Sequence, residues 1–455
     1  MALNGVPMQK AKAKWAKLDA NPNIIVLETR IVDNAACAAR DFSIGETVFQ
    51  EEPLIVLPRQ KGEEVEVFNK LEQIALTAGL GGNYLFSIYH FSKATEETKG
   101  RILEFFCPDL DKEGADYKRY IAACKAVVAL PQFNNLDPED LVRYLLVLRT
   151  NQHATGRELE CSALYELGSK VTHSCEPNCL CTMNGTTIEY RAIRNIKKHD
   201  MLTFSYISAF DLWKSTLERR RIMAPARFFE CCCSRCVGPD YTRRMRCPEC
   251  KDPRMLYYMP GQVSFVPTVG EKTETPWTCK NEKCGKKWRD DELNLGLEQK
   301  IVSAVISTYF DVQAGTIQDR ATAKQMLQYC DQELGPYHFA SALMVYTQLA
   351  LTHSAIKNGH AKAEPPEVVL PLSERLMYWF CINFPGTMEE ANIASFLGGL
   401  AQLHGAYKLG ARFFSTALPL LRVHWKTDHP HIVDMEAAVD LHGDEKAKKH
   451  AAIAK

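Results

Sequence analysis

The sequence predicts an α+β protein: a β-rich half interrupted by a helical insertion, then two cysteine-rich segments, then an all-helical C-terminal domain. Three observations lead there. Short apolar and β-branched runs gather at 22–59 and again at 149–210. Helical periodicity fills 60–148 and everything beyond 291, and cysteines fall at close spacings between 211 and 290.

Residues 1–21 form a basic arm with Lys10, Lys12, Lys14 and Lys17, read as a solvated face. From Ile24 the text turns β-like, with Ile24-Ile25-Val26-Leu27, Glu46-Thr47-Val48-Phe49-Gln50 after a turn at Gly45, and Leu54-Ile55-Val56-Leu57. In the helical insertion, Asp137-Pro138-Glu139-Asp140 is a helix start: a capping side chain, proline in the first turn and acids against the dipole. Leu141, Tyr144, Leu145 and Leu148 then mark one apolar face. Strands resume near 149. Asn184-Gly185 predicts a two-residue hairpin turn, and 192–196 and 201–207 read as further short strands.

Length and composition set limits. At 455 residues the chain has room for several domains, and 46% hydrophobic residues is enough for packed cores. Lys plus Arg equals Asp plus Glu, both 55, so no global field points to nucleic acid or an anionic membrane. Neither an apolar run of membrane-spanning length nor a leader is visible, which predicts a soluble, intracellular chain, cytoplasmic or nuclear. With 17 cysteines at clustered spacings, metal thiolates in a reducing compartment are expected rather than disulfides. No G-x-G-x-x-G occurs, so nothing suggests a Rossmann cofactor fold.

Cys231, Cys233 and Cys236 offer three thiols in a C-x-C-x-x-C spacing, one short of tetrahedral zinc. Cys175, within Thr172-His173-Ser174-Cys175-Glu176-Pro177-Asn178, is the natural fourth; Cys232 is a spare thiol beside them. A second site is expected at Cys247, Cys250, Cys279 and Cys284, two knuckles of a zinc ribbon with Trp277 and Trp288 packed around them.

H-S-C-x-P-N at 173–178, a strand ending in Ser205-Tyr206 and the C-x-C-x-x-C run, in that order, resemble the SET-domain protein lysine methyltransferases, most closely the SMYD type. The resemblance covers roughly residues 24 to 240 by motif. It implies a SET fold made of N-terminal strands (22–59), a helical insertion (60–148), a core holding the cofactor and lysine site (149–210) and a zinc-binding post-SET region (211–240). The ribbon (241–290) and a TPR-like helical domain (291–455) follow, with Leu334-Gly335-Pro336-Tyr337-His338 and Lys426 to His431 resembling tetratricopeptide-like turns. SMYD proteins carry a MYND finger in the insertion. Here that stretch holds only Cys107 and Cys124, so the finger is expected to be absent, and the chain resembles the finger-less apicomplexan apical complex lysine methyltransferases.

The resemblance implies S-adenosylmethionine as cofactor. Thr172 and His173 would contact it, Asn151 would meet its methionine part, Phe229 would stack near adenine, and Ser169 would line the site. Tyr206 would be the catalytic tyrosine that orients the lysine amine and also contacts the cofactor. Several positions depart from the family pattern. Thr172 stands for an asparagine, His199-Asp200-Met201 for G-E-E, Arg227 for a tyrosine, Asn34-Ala35 for glycines and Cys37 for an arginine. The expected function is methyl transfer to a lysine of a protein substrate. A catalytically weak or inactive SET scaffold serving protein interaction is the alternative. The helical domain is expected to hold a second copy or another partner. Direct nucleic-acid binding is not expected, since it would need a basic face built from residues such as Arg243, Arg244 and Arg246.

Overall fold

The computed structural model describes residues 21–27, 34–155, 161–253, 256–259, 276–315, 320–359, 364–425 and 428–452. The basic arm, but for Asn21, and the end of the C-terminal tail lie outside the described residues. The chain divides into two compact units: 1–173 with 177–204 and 223–229, and 174–176 with 205–222 and 230–455.

In the first unit the elements in chain order are β1 (Ile24–Leu27), β2 (Ala35–Ala38), β3 (Thr47–Glu51), β4 (Ile55–Pro58), α1 (Val65–Thr77), α2 (Phe86–Lys93), α3 (Glu96–Leu103), α4 (Ala115–Val128), α5 (Pro138–Asn151), β5 (His153–Ala154), β6 (Cys161–Leu164), β7 (Thr172–His173), β8 (Cys179–Asn184), β9 (Thr187–Ala192) and β10 (Thr203–Phe204). They form small sheets: β1 with β2, β3-β9-β8, β4-β6-β5, and the parallel pair β7 and β10. This is the mixed β-rich fold that the sequence predicts, and its core is filled by Phe49, Tyr165, Ile188 and Tyr190.

Local chemistry explains where the predicted elements shift. Asn184 pairs with Thr187, so the hairpin loop is Gly185-Thr186, with Gly185 at φ 61°, the left-handed position a two-residue turn of this kind requires. The predicted strands at 192–196 and 201–207 are mostly irregular. Their backbone groups bond one at a time to β2 and its neighbours: Phe42 N–H to the Ile196 carbonyl, Ala38 N–H to Asp200 and Leu202 N–H to Ala36. Ala192 ends β9, and beyond it Thr203–Phe204 alone of these residues forms a strand.

The insertion is helical as predicted. Asp137 accepts from the amides of Glu139 and Asp140, which caps α5, and Leu141, Tyr144, Leu145 and Leu148 are buried against Phe68, Phe91 and their neighbours.

The second unit holds α6 (Ala209–Trp213), α7 (Thr216–Arg227, whose last residues count with the first unit), α8 (Ser234–Val237) and a sheet β11 (Asp240–Met245), β12 (Leu256–Tyr258), β13 (Trp277–Cys279) and β14 (Lys287–Trp288), paired in that order. Helices follow: α9 (Leu295–Gln313), α10 (Arg320–Glu333), α11 (Phe339–Lys357), α12 (Pro366–Asn383), α13 (Met388–Leu403), α14 (Tyr407–His424), α15 (Pro430–His442) and α16 (Glu445–Ala452). Among the described residues, no helix is long and apolar enough to cross a membrane.

A buried ion pair joins the ribbon sheet to this array. Arg243 grips Glu298 with two bonds of 2.6 Å, His338 Nε2 lies 3.2 Å from the same carboxylate, and the guanidinium sits 4.7 Å from the ring centres of Tyr258 and Trp277. Burial alone would raise the Glu298 pKa, but hydrogen bonds from Arg243 and His338 hold it down at about 2. Arg244 is also buried, bonded to Asn383, and Arg246 donates to main-chain carbonyls, so these three arginines are engaged inside the unit.

The small residues of 392–420 serve close packing. A Cβ on Gly398 would lie 2.4 Å from the Phe414 ring, whereas a Cβ on neighbouring Gly399 would meet nothing within 4 Å. Gly398→Ala should therefore destabilise by about 1–3 kcal/mol through overpacking. Gly399→Ala should be neutral or stabilise by up to about 1 kcal/mol, as glycine inside a helix is costly. Denaturant midpoints of the two variants check this; equal midpoints would contradict the packing.

Candidate functional site: the 172–178 loop and its thiol cluster

The loop starts where β7 lies parallel to β10, with Thr172 beside Thr203 and His173 beside Phe204. Asn178 fastens its far end. The side-chain amide of Asn178 donates to the Met201 carbonyl at 2.8 Å and accepts from Thr203 N–H at 2.8 Å, so one asparagine ties the loop's exit to the strand beside its entry. The P-N of the motif thus has a plain structural job.

Predicted site residues of the first unit come from several elements. Asn151 ends α5, its side chain donating to the carbonyls of Phe106 and Val147, both at 2.8 Å. Ser169 sits in the 3₁₀ turn Gly168–Lys170 and donates to the Glu166 carbonyl at 2.8 Å. His173 is buried, with its ring centre 6.2 Å from that of Phe229. These last two are the pair the structure brings together most directly. Thr172 Oγ1 is buried and has no hydrogen-bond partner among the described residues, an orphan of the kind that a bound polar ligand relieves. Tyr206 belongs to the second unit, two residues beyond β10, and is partly buried.

Three of the departures gain a physical reading. Asn34 and His199, which replace glycines of the family pattern, both lie in the left-handed region, at φ 62° and 73°. The backbone shape that favours glycine is kept although the glycines are not. The cation of Arg227 is directed to the Thr150 carbonyl at 2.7 Å, in the last turn of α5, where a positive charge is favoured by the helix dipole.

A partly buried titratable group beside the 168–170 turn escapes a reading of the sequence. Glu51, at the end of β3, accepts from Leu167 and Gly168 N–H at 2.9 and 2.8 Å and so shapes the turn that carries Ser169. Burial pushes its pKa up to about 7 against those bonds. A Cβ on Gly168 would lie 3.6 Å from both Glu51 and the Tyr190 hydroxyl, and that hydroxyl is 3.2 Å from His153 Nε2. His153 stacks on Phe204, and burial, then Arg227, pulls its pKa down to about 4. Periodicity gives no sign of such a cluster, because its members come from β3, β5 and β9.

The second unit carries the thiols. Sulfurs of Cys175, Cys231, Cys233 and Cys236 all lie within 4.8 Å of one another, as do those of Cys247, Cys250, Cys279 and Cys284. Thiolates 2.3 Å from a tetrahedral zinc stand about 3.8 Å apart. The pairs Cys175–Cys236 at 3.6 Å, Cys175–Cys231 at 4.0 Å, Cys247–Cys284 at 3.9 Å and Cys250–Cys279 at 3.8 Å match that spacing. Both clusters therefore fit zinc, with Cys175 as the predicted fourth member of the first and Cys232 outside it. All 17 cysteines are free of disulfides.

Residues 35–207 match the family model described as SET domain. Together with the strand pairings this makes the first unit a SET fold. Over that region the chain is homologous to SMYD-type lysine methyltransferases. It is 38% identical over 77 residues to the histone-lysine N-methyltransferase SMYD3 of Mus musculus, covering 17% of each chain. It is 34% identical over 136 residues to the N-lysine methyltransferase SMYD2 of Homo sapiens, covering 28% of this chain and 31% of that one. A SET and MYND domain-containing protein of Dictyostelium discoideum matches at 28% over 121 residues, covering 25% and 30%. The matches thus span less than a third of each of these relatives.

Glu51 and His153 give opposite dependences on pH. The folded Glu51 value, about 7, lies above its ordinary 4.5, so stability is lost as pH rises from about 4.5 to 7. The folded His153 value, about 4, lies below its ordinary 6.5, so stability is full above about pH 6.5 and is lost as pH falls toward 4. Between these limits the two offset each other. Glu51→Gln should uncover melting midpoints that rise with pH relative to wild type, and His153→Phe midpoints that fall. Parallel pH profiles in all three proteins would contradict the burial of this cluster.

Proposed function

We propose that the protein is a protein-lysine N-methyltransferase using S-adenosylmethionine, with two structural zinc sites. The observation that carries the proposal is the convergence in one chain of a SET domain, the 173–178 loop and a four-thiol cluster that takes its first member from that loop. The homology to SMYD2 and SMYD3 supports the same chemistry.

When bound, the cofactor supplies an electrophilic methyl group on a sulfonium. Phe229 offers an aromatic face, His173 and Asn151 offer polar contacts, and Thr172 offers a hydroxyl that is buried and unspent. The amine that attacks must be neutral. With a reference pKa near 10.4, reaching neutrality at physiological pH costs a lysine about 4 kcal/mol, which an apolar channel beside a positive charge reduces. By the resemblance, Tyr206 would aim the amine and help exclude water. The substrate is a protein that presents a lysine. An inactive scaffold is the competing reading, and Arg227 is the observation that favours it, since a fixed cation stands where the family pattern has tyrosine.

Calorimetry with S-adenosylmethionine, after stripping copurified cofactor, separates the two. Binding near the micromolar range, lost in His173→Ala, is expected. Tyr206→Phe should keep binding within a few-fold while methyl transfer to protein lysines falls about 100-fold or more, as for other residues that act mainly in the transition state. Absence of binding in a folded, zinc-loaded protein would leave the scaffold reading.

A further inference from the structure

Four thiolates on one zinc ion leave two excess negative charges, and a buried charge needs a partner. Three arginines of the second unit surround the Cys175 cluster. Arg219 is 0% exposed. Its Nη2 donates to Cys236 Sγ at 3.4 Å and to Thr216 Oγ1 at 3.0 Å, and its Nη1 to the Lys214 carbonyl at 2.5 Å. Arg220 donates to the carbonyls of Cys231 and Cys236 at 3.1 and 3.0 Å. Arg235 donates to the Cys175 carbonyl at 3.3 Å and the Leu212 carbonyl at 2.7 Å. One buried acid, Asp240, accepts from Thr216 N–H at 2.6 Å. Three guanidinium charges thus stand against two on a zinc tetrathiolate and one on Asp240.

The ribbon cluster is built differently. Its side-chain donor is neutral, the amide of Asn281 at 3.7 Å from Cys250 Sγ. Cys250 and Cys284 are partly exposed, and the neighbouring Lys286 is half in solvent and paired with Glu249 at 3.0 Å. Water can reach this cluster and screen its charge.

We propose that Arg219 is the positioning residue that makes the Cys175 cluster the slowly exchanging zinc site, and that the ribbon is the site from which zinc exchanges readily. A guanidinium N–H aimed at a thiolate spreads its charge and fixes its direction toward the metal. A chelator gains its opening when a thiolate swings away from the metal. Arg219 restrains Cys236 against that movement, and Cys175, Cys231 and Cys236 are buried, with Cys233 alone partly exposed. This inference rests on the zinc reading above.

The full chain, loaded with zinc, would first be assayed for metal content, then challenged with excess chelator while released zinc is followed with a metallochromic dye. Two phases of about one zinc each are expected, the fast one removed by Cys284→Ser. Arg219→Met should speed the slow phase about 10- to 100-fold, the usual effect of losing a partner to a metal ligand, and leave the fast phase alone. Arg219→Lys, which keeps the charge but not the fork, should recover most of the loss; a purely steric role for the arginine would not be rescued in this way. Should Arg219→Met fail to fold, Arg219→Lys and Arg235→Gln should each still quicken the slow phase a few-fold. Zinc in both clusters with a slow phase unmoved by these changes overturns the inference alone. A folded wild-type chain with no zinc overturns the reading beneath it.

Discussion

Everything about the candidate site depends on fixing one sulfur. Cys175 stands two residues after His173 and three before Asn178, so whatever holds its thiol beside Cys231, Cys233 and Cys236 also holds the loop that carries the histidine. A polar loop of this length has little apolar surface with which to hold itself in one conformation. A tetrahedral metal held by these four thiols would do what packing cannot: it would specify direction as well as distance. At the loop's other end the Asn178 amide does the same by hydrogen bonds to 201–203.

The second constraint is charge. A chain with this many buried polar groups is stable only if most of them find a partner. Arg243 with Glu298 and His338, Arg219 and its neighbours at the thiol cluster, and Arg227 at the end of α5 are variations on one solution. Glu51 and His153 show the other solution: burial is the largest influence, shifts the titration and keeps the group neutral over the middle of the pH range.

Elements with strong local signals could be read from the sequence. The cap at Asp137 and the apolar face of α5 needed only the residues of 137–148 as context, and the two thiol clusters were legible because zinc would demand a fixed number of thiols at short spacing. Coordination chemistry called for a fourth thiol far along the chain, and Cys175 does lie beside the other three. What escaped has no period or spacing. The strands after Ala192 dissolve into single bridges because their partners are the edges of β2 and Phe42, contacts made across the fold. Arg219 and Glu51 look in sequence like ordinary surface charges, Arg219 in a run of three arginines and Glu51 beside Glu52, and only the fold shows Arg219 buried and Glu51 largely withdrawn from solvent. The glycine substitutions at Asn34 and His199 looked like losses, yet both positions keep the left-handed backbone.

The central claim is that the β7 loop and the residues around it form a cofactor site. A crystal structure of the full chain grown with S-adenosylhomocysteine tests it most directly. The account predicts density for the adenine against Phe229 and for the amino-acid end near Asn151 and His173, with the Thr172 hydroxyl no longer without a partner. A well-ordered loop with no density at saturating ligand, or ligand bound away from these residues, would contradict it.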